Sequence, residues 1–189
     1  GQTVEVRALG KWGRASGYFD DFDTLTASVS SLDAKGEFKG IYVTLNPVNP
    51  ALLARRANRI SPKLGKDEPT TADHDIIART WLPIDIDPVR PSEVSSSDGE
   101  HAAAKVKAYH IAEYLSDIGW PAPVVADSGN GAHLLYRINL DNTDEARDLI
   151  KGVLGTLDIL FSDAVCQVDT ANFNAARIWK LYGTTSRKG

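Results

Sequence analysis

The sequence contains a single cysteine, Cys166, and no methionine among its 189 residues. One cysteine excludes an internal disulfide and any zinc site built from several cysteines. No apolar run approaches the roughly 18 residues that a membrane-spanning helix needs, and no secretory signal opens the chain. We therefore expect a cytoplasmic protein with no membrane partner.

An excess of positive charge is also lacking, because the formal net charge is −4. Nucleic-acid-binding domains are more often basic, since neutralising phosphates supplies much of their affinity. The overall charge therefore argues mildly against tight nucleic-acid binding, although it does not exclude a local basic groove. The hydrophobic fraction of 42% and the charged fraction of 24% are typical of a globular domain.

Hydrophobic periodicity predicts one mixed α and β domain. The predicted helices cover residues 22–32, 51–59, 100–118 and 144–161, the last beginning after Thr143 as N-cap. The predicted strands cover residues 3–9, 40–46, 79–87, 124–126, 133–138, 164–169 and 176–182. The strands at 124–126 and 133–138 flank a glycine-rich turn, which predicts a hairpin.

The most informative motif is Asp85-Ile86-Asp87 at the end of a predicted strand. Side chains alternate faces along a strand, so both carboxylates project from one side while Ile84 and Ile86 project from the other. Two carboxylates so close repel each other unless a cation neutralises them, and magnesium or manganese suits such oxygen ligands. Alternatively, the aspartates cap the turn that Pro88 begins.

The second motif is the segment Asp127 to His133, with glycines at positions 129 and 131. Glycine lets the backbone approach a ligand, and successive amides can form an anion-binding nest to which His133 adds a donor. The alternative is a Gly-Asn-Gly hairpin followed by a packed histidine.

The third motif is Val168-Asp169, in which Asp169 is a candidate third carboxylate. Arg177 and Lys180 follow it, and Arg187 or Lys188 arrives from the tail, so these cations are candidates to meet polyphosphate oxygens. The alternative is that Asp169 caps a turn and the basic residues are solvated. For Asp163, which follows Ser162 at a helix exit, we expect a turn role.

The best candidate for a template-strand contact is a basic run formed by Arg55, Arg56, Arg59, Lys63 and Lys66. Such runs are more often the solvated face of a helix and loop. A second Asp-x-Asp match, Asp73-His74-Asp75, lies in a polar stretch, and there we expect a cap for the residues from Ile76 onward.

Taken together, Asp85-x-Asp87, Gly131-Ala132-His133 and Val168-Asp169 resemble motifs I, II and III of the archaeo-eukaryotic primase superfamily. Their flanking segments resemble its primase-polymerase branch of plasmids, phages and CRISPR-associated loci; these are Tyr42–Pro47, Ile84–Pro91, Ser128–Tyr136 and Arg177–Thr184. The resemblance covers most of the chain from Gly40 onward.

The resemblance implies an α+β fold, a primase catalytic core in which two small α/β modules, one like an RNA-recognition motif, flank a central cleft. Residues 1–189 would then be one catalytic domain of a longer protein. It implies a DNA-dependent primase-polymerase that adds NTPs or dNTPs to a 3′-hydroxyl on a single-stranded DNA template, and that also synthesises primers. Further replication, repair or CRISPR proteins are expected as partners of the longer protein.

The resemblance also implies roles for individual residues. Asp85, Asp87 and Asp169 would be catalytic and would bind two divalent ions, Mg²⁺ or Mn²⁺, and no zinc is expected. The nucleotide-binding residues would be His133, Gly131, Ser128, Arg177, Lys180 and Lys188. Two other functions stay open: an Asp-x-Asp glycosyltransferase, which leaves His133 and Asp169 without a role, and a non-catalytic nucleotide-binding replication-initiator module.

Overall fold

The structure is a computed structural model that describes residues 2–11, 13–65, 67–91 and 94–187. The strands are β1 Val4–Gly10, β2 Gly13–Phe19, β3 Gly40–Thr44, β4 Ala78–Pro88, β5 Val124–Asp127, β6 Ala132–Asp141, β7 Cys166–Val168 and β8 Ile178–Lys180. The α-helices are α1 Phe22–Ala34, α2 Asp98–Asp117 and α3 Asp144–Phe161, and two short 3₁₀ helices cover Pro50–Arg55 and Asp73–Asp75.

The chain divides into two compact units, each with one four-stranded sheet. The first unit contains Gly1–Ala78 and Ala175–Lys188, and the second contains Arg79–Asn174. The strand order is β2-β1-β3-β8 in the first sheet and β5-β6-β4-β7 in the second. The prediction of a mixed α and β fold is confirmed at this level, with two antiparallel sheets.

In the first unit, α1 packs its apolar stripe against the sheet. Leu25, Val29 and Leu32 recur at helical spacing and pack with sheet residues such as Val6 and Ile41. The helix begins after Asp21, whose carboxylate accepts hydrogen bonds from the amides of the first turn. The predicted helix at 22–32 is therefore confirmed, and its stability comes from this buried stripe.

Strand β2 has no counterpart among the predicted elements. Its sequence, Gly13 to Phe19, is rich in small residues and lacks the β-branched pattern that identifies a strand. Its partner strand explains the extended conformation, because β2 pairs along its whole length with β1.

The segment after Pro50 also differs from prediction: the helix expected at 51–59 is a 3₁₀ helix that ends at Arg55.

In the second unit, α2 and α3 both cover one face of the sheet. Ile84 and Ile86 of β4 are fully buried there, together with Leu134 of β6, Ile111 of α2 and Leu154 of α3. Both helices are capped as their sequences indicate. Ser97 and Glu100 form a capping box before α2, and the Thr143 hydroxyl accepts the amide of Ala146 in α3.

The predicted hairpin is also present, because β5 and β6 pair in antiparallel register around residues 128–131.

Within the described residues, no helix is both long enough and apolar enough to cross a membrane.

We predict that Gly17→Ala lowers the free energy of unfolding by about 1–3 kcal/mol, because a Cβ at this position of β2 would collide with the backbone carbonyl of Arg59. Chemical denaturation measures the effect. Gly152→Ala in α3 is the matched control: its Cβ meets nothing within 4 Å, so it should stabilise by up to about 1 kcal/mol. Equal stability of the two variants would contradict the contact.

Candidate active site on the second sheet

The two carboxylates of β4 lie on the sheet face opposite the helices. Ile84 and Ile86 are both 0% exposed in the core beneath α2 and α3, so alternation turns Asp85 and Asp87 to the other face. Their side chains are partly exposed, 20% for Asp85 and 37% for Asp87. The apolar pair therefore fixes the direction of the acidic pair, as the sequence predicts.

Strand β7 brings Asp169 to the same face. Ile86 pairs with Val168 across the antiparallel ladder, and one step further the amide of Asp169 donates to the carbonyl of Asp85 at 2.9 Å. Residues opposite each other in a ladder share a face, and Val168 is buried in the same core as Ile86. Asp169 therefore stands beside Asp85, although 84 positions separate them in the sequence.

The Asp169 carboxylate also closes the turn that follows it. One oxygen accepts the amide of Ala171 at 2.8 Å, and the other accepts the side-chain amide of Asn172 at 3.1 Å. The turn-capping alternative is thus present in the structure. A carboxylate accepts about four hydrogen bonds, so each oxygen keeps a lone pair for a further ligand.

His133 lies on β6 and reaches Asp85. The side chain is 5% exposed, and its Nε2 atom lies 3.2 Å from Oδ1 of Asp85. The expectation that His133 offers a donor to phosphate requires some access, whereas the structure shows a packed histidine whose ring nitrogen faces a carboxylate. His133 therefore contacts the site at Asp85.

The glycine-rich turn satisfies its own amides. The amide of Gly129 donates to Asp127 at 2.8 Å, and the amides of Asn130 and Gly131 donate to the Ser128 hydroxyl at 3.4 and 2.8 Å. The anion-binding nest expected from the sequence is therefore not displayed. The hairpin alternative describes these residues better, because each amide already has an acceptor.

Gly131 has a different importance, which is steric. A Cβ at Gly131 would collide with the carbonyl of Ile86 and would lie 3.0 Å from Oδ1 of Asp87. Only glycine lets this turn lie so close to β4. Asn130 ties the same turn to the segment after β4 by accepting the Ser96 amide at 3.1 Å.

Arg90 is a site residue that the motif-based prediction does not include. Its Nη2 atom lies 3.5 Å from Oδ1 of Asp87, and its Nη1 atom donates to the carbonyl of Val94 at 2.6 Å. The Arg90 side chain is 17% exposed. The available signal was a cation three positions after Asp87, beyond the strand end.

Like charges and burial dominate the electrostatics of the site. Burial raises the pKa of Asp87, the Asp85 charge raises it further, and Arg90 and His133 offset part of the rise. Oδ1 of Asp85 is buried and lies 3.2 Å from Nε2 of His133, an ion-pair contact that lacks hydrogen-bond geometry.

Glu5, a buried carboxylate in the first unit, shows how donors placed by the protein change the pKa of a buried acid. Burial alone would raise the pKa of Glu5, yet the hydrogen bonds and charge of Arg7, with hydrogen bonds from Ser16 and Thr71, hold that pKa below its usual value. Glu5 therefore has donors in place, whereas Oδ1 of Asp85 has the His133 ring nitrogen at ion-pair distance but no hydrogen bond from the described residues. An unsatisfied buried oxygen costs free energy unless a ligand supplies the missing positive partner.

The donor set suits a hard divalent cation, since Asp85, Asp87 and Asp169 offer only oxygen ligands on one face. Within the part of the chain that the structure describes, however, no group of three or more His, Cys, Asp or Glu side chains is arranged as a ready metal site. Metal binding by the three carboxylates therefore stays a prediction.

The predicted phosphate-binding cations belong to the first unit. Arg177 is half-buried, and Lys180 on β8 donates to the Thr184 hydroxyl at 2.9 Å and to the carbonyl of Thr185 at 3.2 Å. Lys188 lies outside the described residues.

The predicted template-binding run is divided in the structure. Arg56 is buried, lies over the Tyr18 ring and donates to the carbonyl of Pro69 at 3.1 Å, so the prediction that it contacts a template is wrong for this residue. Arg55, Arg59 and Lys63 are exposed, and Lys66 lies outside the described residues.

Asp163 has the turn role that the sequence predicts, whereas Asp73 and Asp75 lie within a 3₁₀ helix of their own and accept other amides than those from Ile76 onward. The Asp75 carboxylate accepts the amide of Ala72, and Asp73 accepts the amide of Ala176. Asp163 accepts the amides of Val165 and Cys166 and pairs with Lys107 at 2.6 Å.

Comparisons with known proteins give one weak structural similarity. No family model matches the chain, and no curated protein matches it. A solved structure of the polymerase domain of Ligase D from Mycobacterium tuberculosis, in complex with DNA, is similar at 17% sequence identity and a TM-score of 0.47. The similarity covers 80% of this chain and 50% of that chain.

We predict that Asp87→Asn raises the free energy of unfolding at pH 7, by up to about 1 kcal/mol after discounting for a side chain more than a third exposed. The folded state raises the pKa of Asp87 above its ordinary 3.8, so it binds more protons than the unfolded state. Stability therefore falls as pH rises from 3.8 through the folded-state pKa. Denaturant titrations at pH 4 and pH 7, in metal-free buffer with chelator, measure the effect.

Asp163→Asn is the control, for which the change in the free energy of unfolding at pH 7 should have the opposite sign. The hydrogen bond from Lys107, with those from two backbone amides, lowers the pKa of Asp163. Its stabilisation is therefore present above pH 3.8 and is lost as pH falls through the folded-state pKa, so this variant should be less stable than the parent at pH 7. Destabilisation by both variants at pH 7 would contradict the repulsion assigned to Asp87.

Proposed function

We propose that this chain is the catalytic domain of a DNA-dependent primase-polymerase. It joins nucleoside triphosphates to a 3′-hydroxyl on a single-stranded DNA template and also begins primers. The observation that carries the proposal is the backbone hydrogen bond from Asp169 to Asp85, which supports three carboxylates on one sheet face. Three carboxylates on a rigid sheet are a sufficient ligand set for two-metal nucleotidyl transfer.

In this proposal, Asp85, Asp87 and Asp169 hold two divalent ions, Mg²⁺ or Mn²⁺. The ions would supply Lewis-acid stabilisation of the phosphate oxygens and would lower the pKa of the attacking hydroxyl. The unsatisfied Oδ1 of Asp85 and the mutual repulsion of Asp85 and Asp87 support this assignment, because both are relieved by positive charge.

The other residues of the proposed site divide by role. His133 orients the Asp85 carboxylate through its Nε2 contact and would turn to phosphate only after that contact opens. Ser128 and Gly131 hold the turn against β4 beside Asp87. Arg177, Lys180 and Lys188 are proposed phosphate contacts on the grounds of charge and of their positions after the third motif.

The partners in this proposal are a nucleoside triphosphate and a single-stranded template with its primer. Arg55, Arg59 and Lys63 are the exposed cations proposed for the template. Lys63 lines a groove of about 210 Å³ together with Arg14, Glu37 and Phe38. We also propose that residues 1–189 form one catalytic domain of a longer protein that meets its replication, repair or CRISPR partners through other parts.

A second candidate is a nucleotide-binding module without turnover. One observation favours it: the described residues contain no ready group of three or more metal-ligating side chains. Metal-dependent extension of a labelled primer, or dinucleotide formation on a single-stranded template, supports the polymerase. Triphosphate binding without either product supports the binding module, and sugar transfer from a nucleotide-sugar would support a glycosyltransferase.

We predict that Asp85→Ala or Asp87→Ala lowers primer extension by at least about 10³-fold, because each removes a ligand on which transition-state charge stabilisation depends. The fold should persist, since both side chains point away from the core. Single-turnover extension with Mn²⁺ measures the loss, and circular dichroism checks folding.

Asp75→Asn is the matched control for that experiment. Asp75 belongs to the second Asp-x-Asp match of the chain and caps a 3₁₀ helix, and asparagine retains an oxygen that can accept the same amide. Its extension rate should stay within about twofold of the parent rate. Near-normal extension by Asp85→Ala or Asp87→Ala would remove these residues from the mechanism.

A further inference from the structure

Arg90 occupies a defined position between a carboxylate and a loop carbonyl. Its Nη2 atom lies 3.5 Å from Oδ1 of Asp87, and its Nη1 atom donates to the carbonyl of Val94 at 2.6 Å. Its third nitrogen, Nε, is buried and finds no acceptor among the described residues. A guanidinium presents five N–H donors in a fixed fork, and these two contacts engage both of its Nη atoms.

The position of Arg90 also affects the charge balance of the acidic face. Asp85, Asp87 and Asp169 bring three negative charges to this face, and the Arg90 guanidinium is a cation in contact with one of them, 3.5 Å from Oδ1 of Asp87. Arg90 therefore serves as a protein-supplied counter-ion to Asp87. Any other cation that binds this carboxylate must compete with the guanidinium, because like charges a few ångströms apart repel each other.

When it leaves Asp87, the guanidinium needs another anionic acceptor. A buried donor without an acceptor costs free energy, and a phosphate oxygen is a strong, charge-assisted acceptor for guanidinium. An arginine matches phosphate through two parallel N–H donors, which a lysine lacks.

We propose that Arg90 is an exchangeable counter-ion: it neutralises Asp87 until a divalent cation binds there, and it then transfers its guanidinium to the triphosphate of the incoming nucleotide. This inference rests on the proposed function and assigns to its site a polyphosphate-binding residue outside the three motifs. It also gives the order of events, because the cation must bind Asp87 before the guanidinium is released to the nucleotide.

The test uses two ligands whose affinities should change in opposite directions. Mn²⁺ alone is titrated into the protein and followed by electron paramagnetic resonance. The Mn²⁺ complex of dATP is then titrated by calorimetry, without template or primer. Arg90→Ala should bind Mn²⁺ about threefold to fivefold more tightly, because the competing cation is gone, and should bind Mn²⁺–dATP about 10-fold to 100-fold more weakly, because charge-assisted hydrogen bonds are lost.

Two further variants separate the proposal from a loss of structure. Arg90→Lys keeps the charge but not the fork, so its Mn²⁺ affinity should stay near the parent value while dATP binding remains weakened. Arg147→Ala on α3 removes the same charge from a residue that pairs with Asp144 and Asp148, and it should change neither affinity. Thermal unfolding of each variant verifies that it is folded.

Each outcome has one meaning. The counter-ion role is overturned if folded Arg90→Ala binds Mn²⁺ as tightly as the parent protein or more weakly. If Arg90→Ala does not fold, tighter Mn²⁺ binding by Arg90→Lys overturns that role instead. Unchanged dATP binding overturns the phosphate role. If the parent protein and Asp87→Ala bind Mn²⁺ equally, the metal site of the proposed function is itself wrong, and the Arg90 proposal fails with it. Parent binding that depends on Asp87, without the Arg90 effects, rejects the Arg90 proposal alone.

Discussion

The candidate site depends on one antiparallel contact, the pairing of β7 with the end of β4. Without it, Asp85 and Asp87 would be an acidic pair at a strand end, a common feature with no particular chemistry. With it, the backbone of Asp169 is bonded directly to the backbone of Asp85, and a third carboxylate joins the same face. The hydrophobic partners Ile86 and Val168 hold this pairing in the core beneath α2 and α3. The placement of charge therefore rests on apolar packing.

The site combines surplus negative charge with neutralising groups that the protein itself supplies. Arg90 faces Asp87 and His133 faces Asp85, yet Oδ1 of Asp85 makes no hydrogen bond with the described residues and the pKa of Asp87 remains raised. Partial neutralisation of this kind reduces the repulsion between the carboxylates and still leaves negative charge on this face of the sheet. Active sites commonly store a destabilising arrangement of charges in this way.

Much of the fold follows from the sequence because its helices carry local signals. Thr143 and the capping box at Ser97 and Glu100 mark the starts of α3 and α2, and alternation around Ile84 and Ile86 gives the direction of the acidic pair. Strand β2 could not be predicted, since its Gly-Ala-Ser composition has little strand preference and its conformation is imposed by pairing with β1.

The site was predictable only in part, for related reasons. The three carboxylates share short motifs that can be read in order along the chain. The burial of His133, the self-satisfied amides of the turn at residues 128–131 and the contact of Arg90 with Asp87 all depend on which elements become neighbours. No local pattern encodes those neighbours. Arg56 illustrates the same limit, because its charge suggested a nucleic-acid contact while Tyr18 and the carbonyl of Pro69 take it into the interior.

The register of β7 has a consequence for how this protein tolerates change in length. Side chains alternate with a period of two, so inserting or deleting a single residue between Ser162 and Asp169 would exchange the two faces of the strand. Val168 would then lie on the face of Asp85 and Asp87, and Asp169 would be buried in the hydrophobic core. A change in the length of this strand would therefore also change which side chains lie on the acidic face. Insertions and deletions here should be tolerated far less well than those in the exposed loops elsewhere.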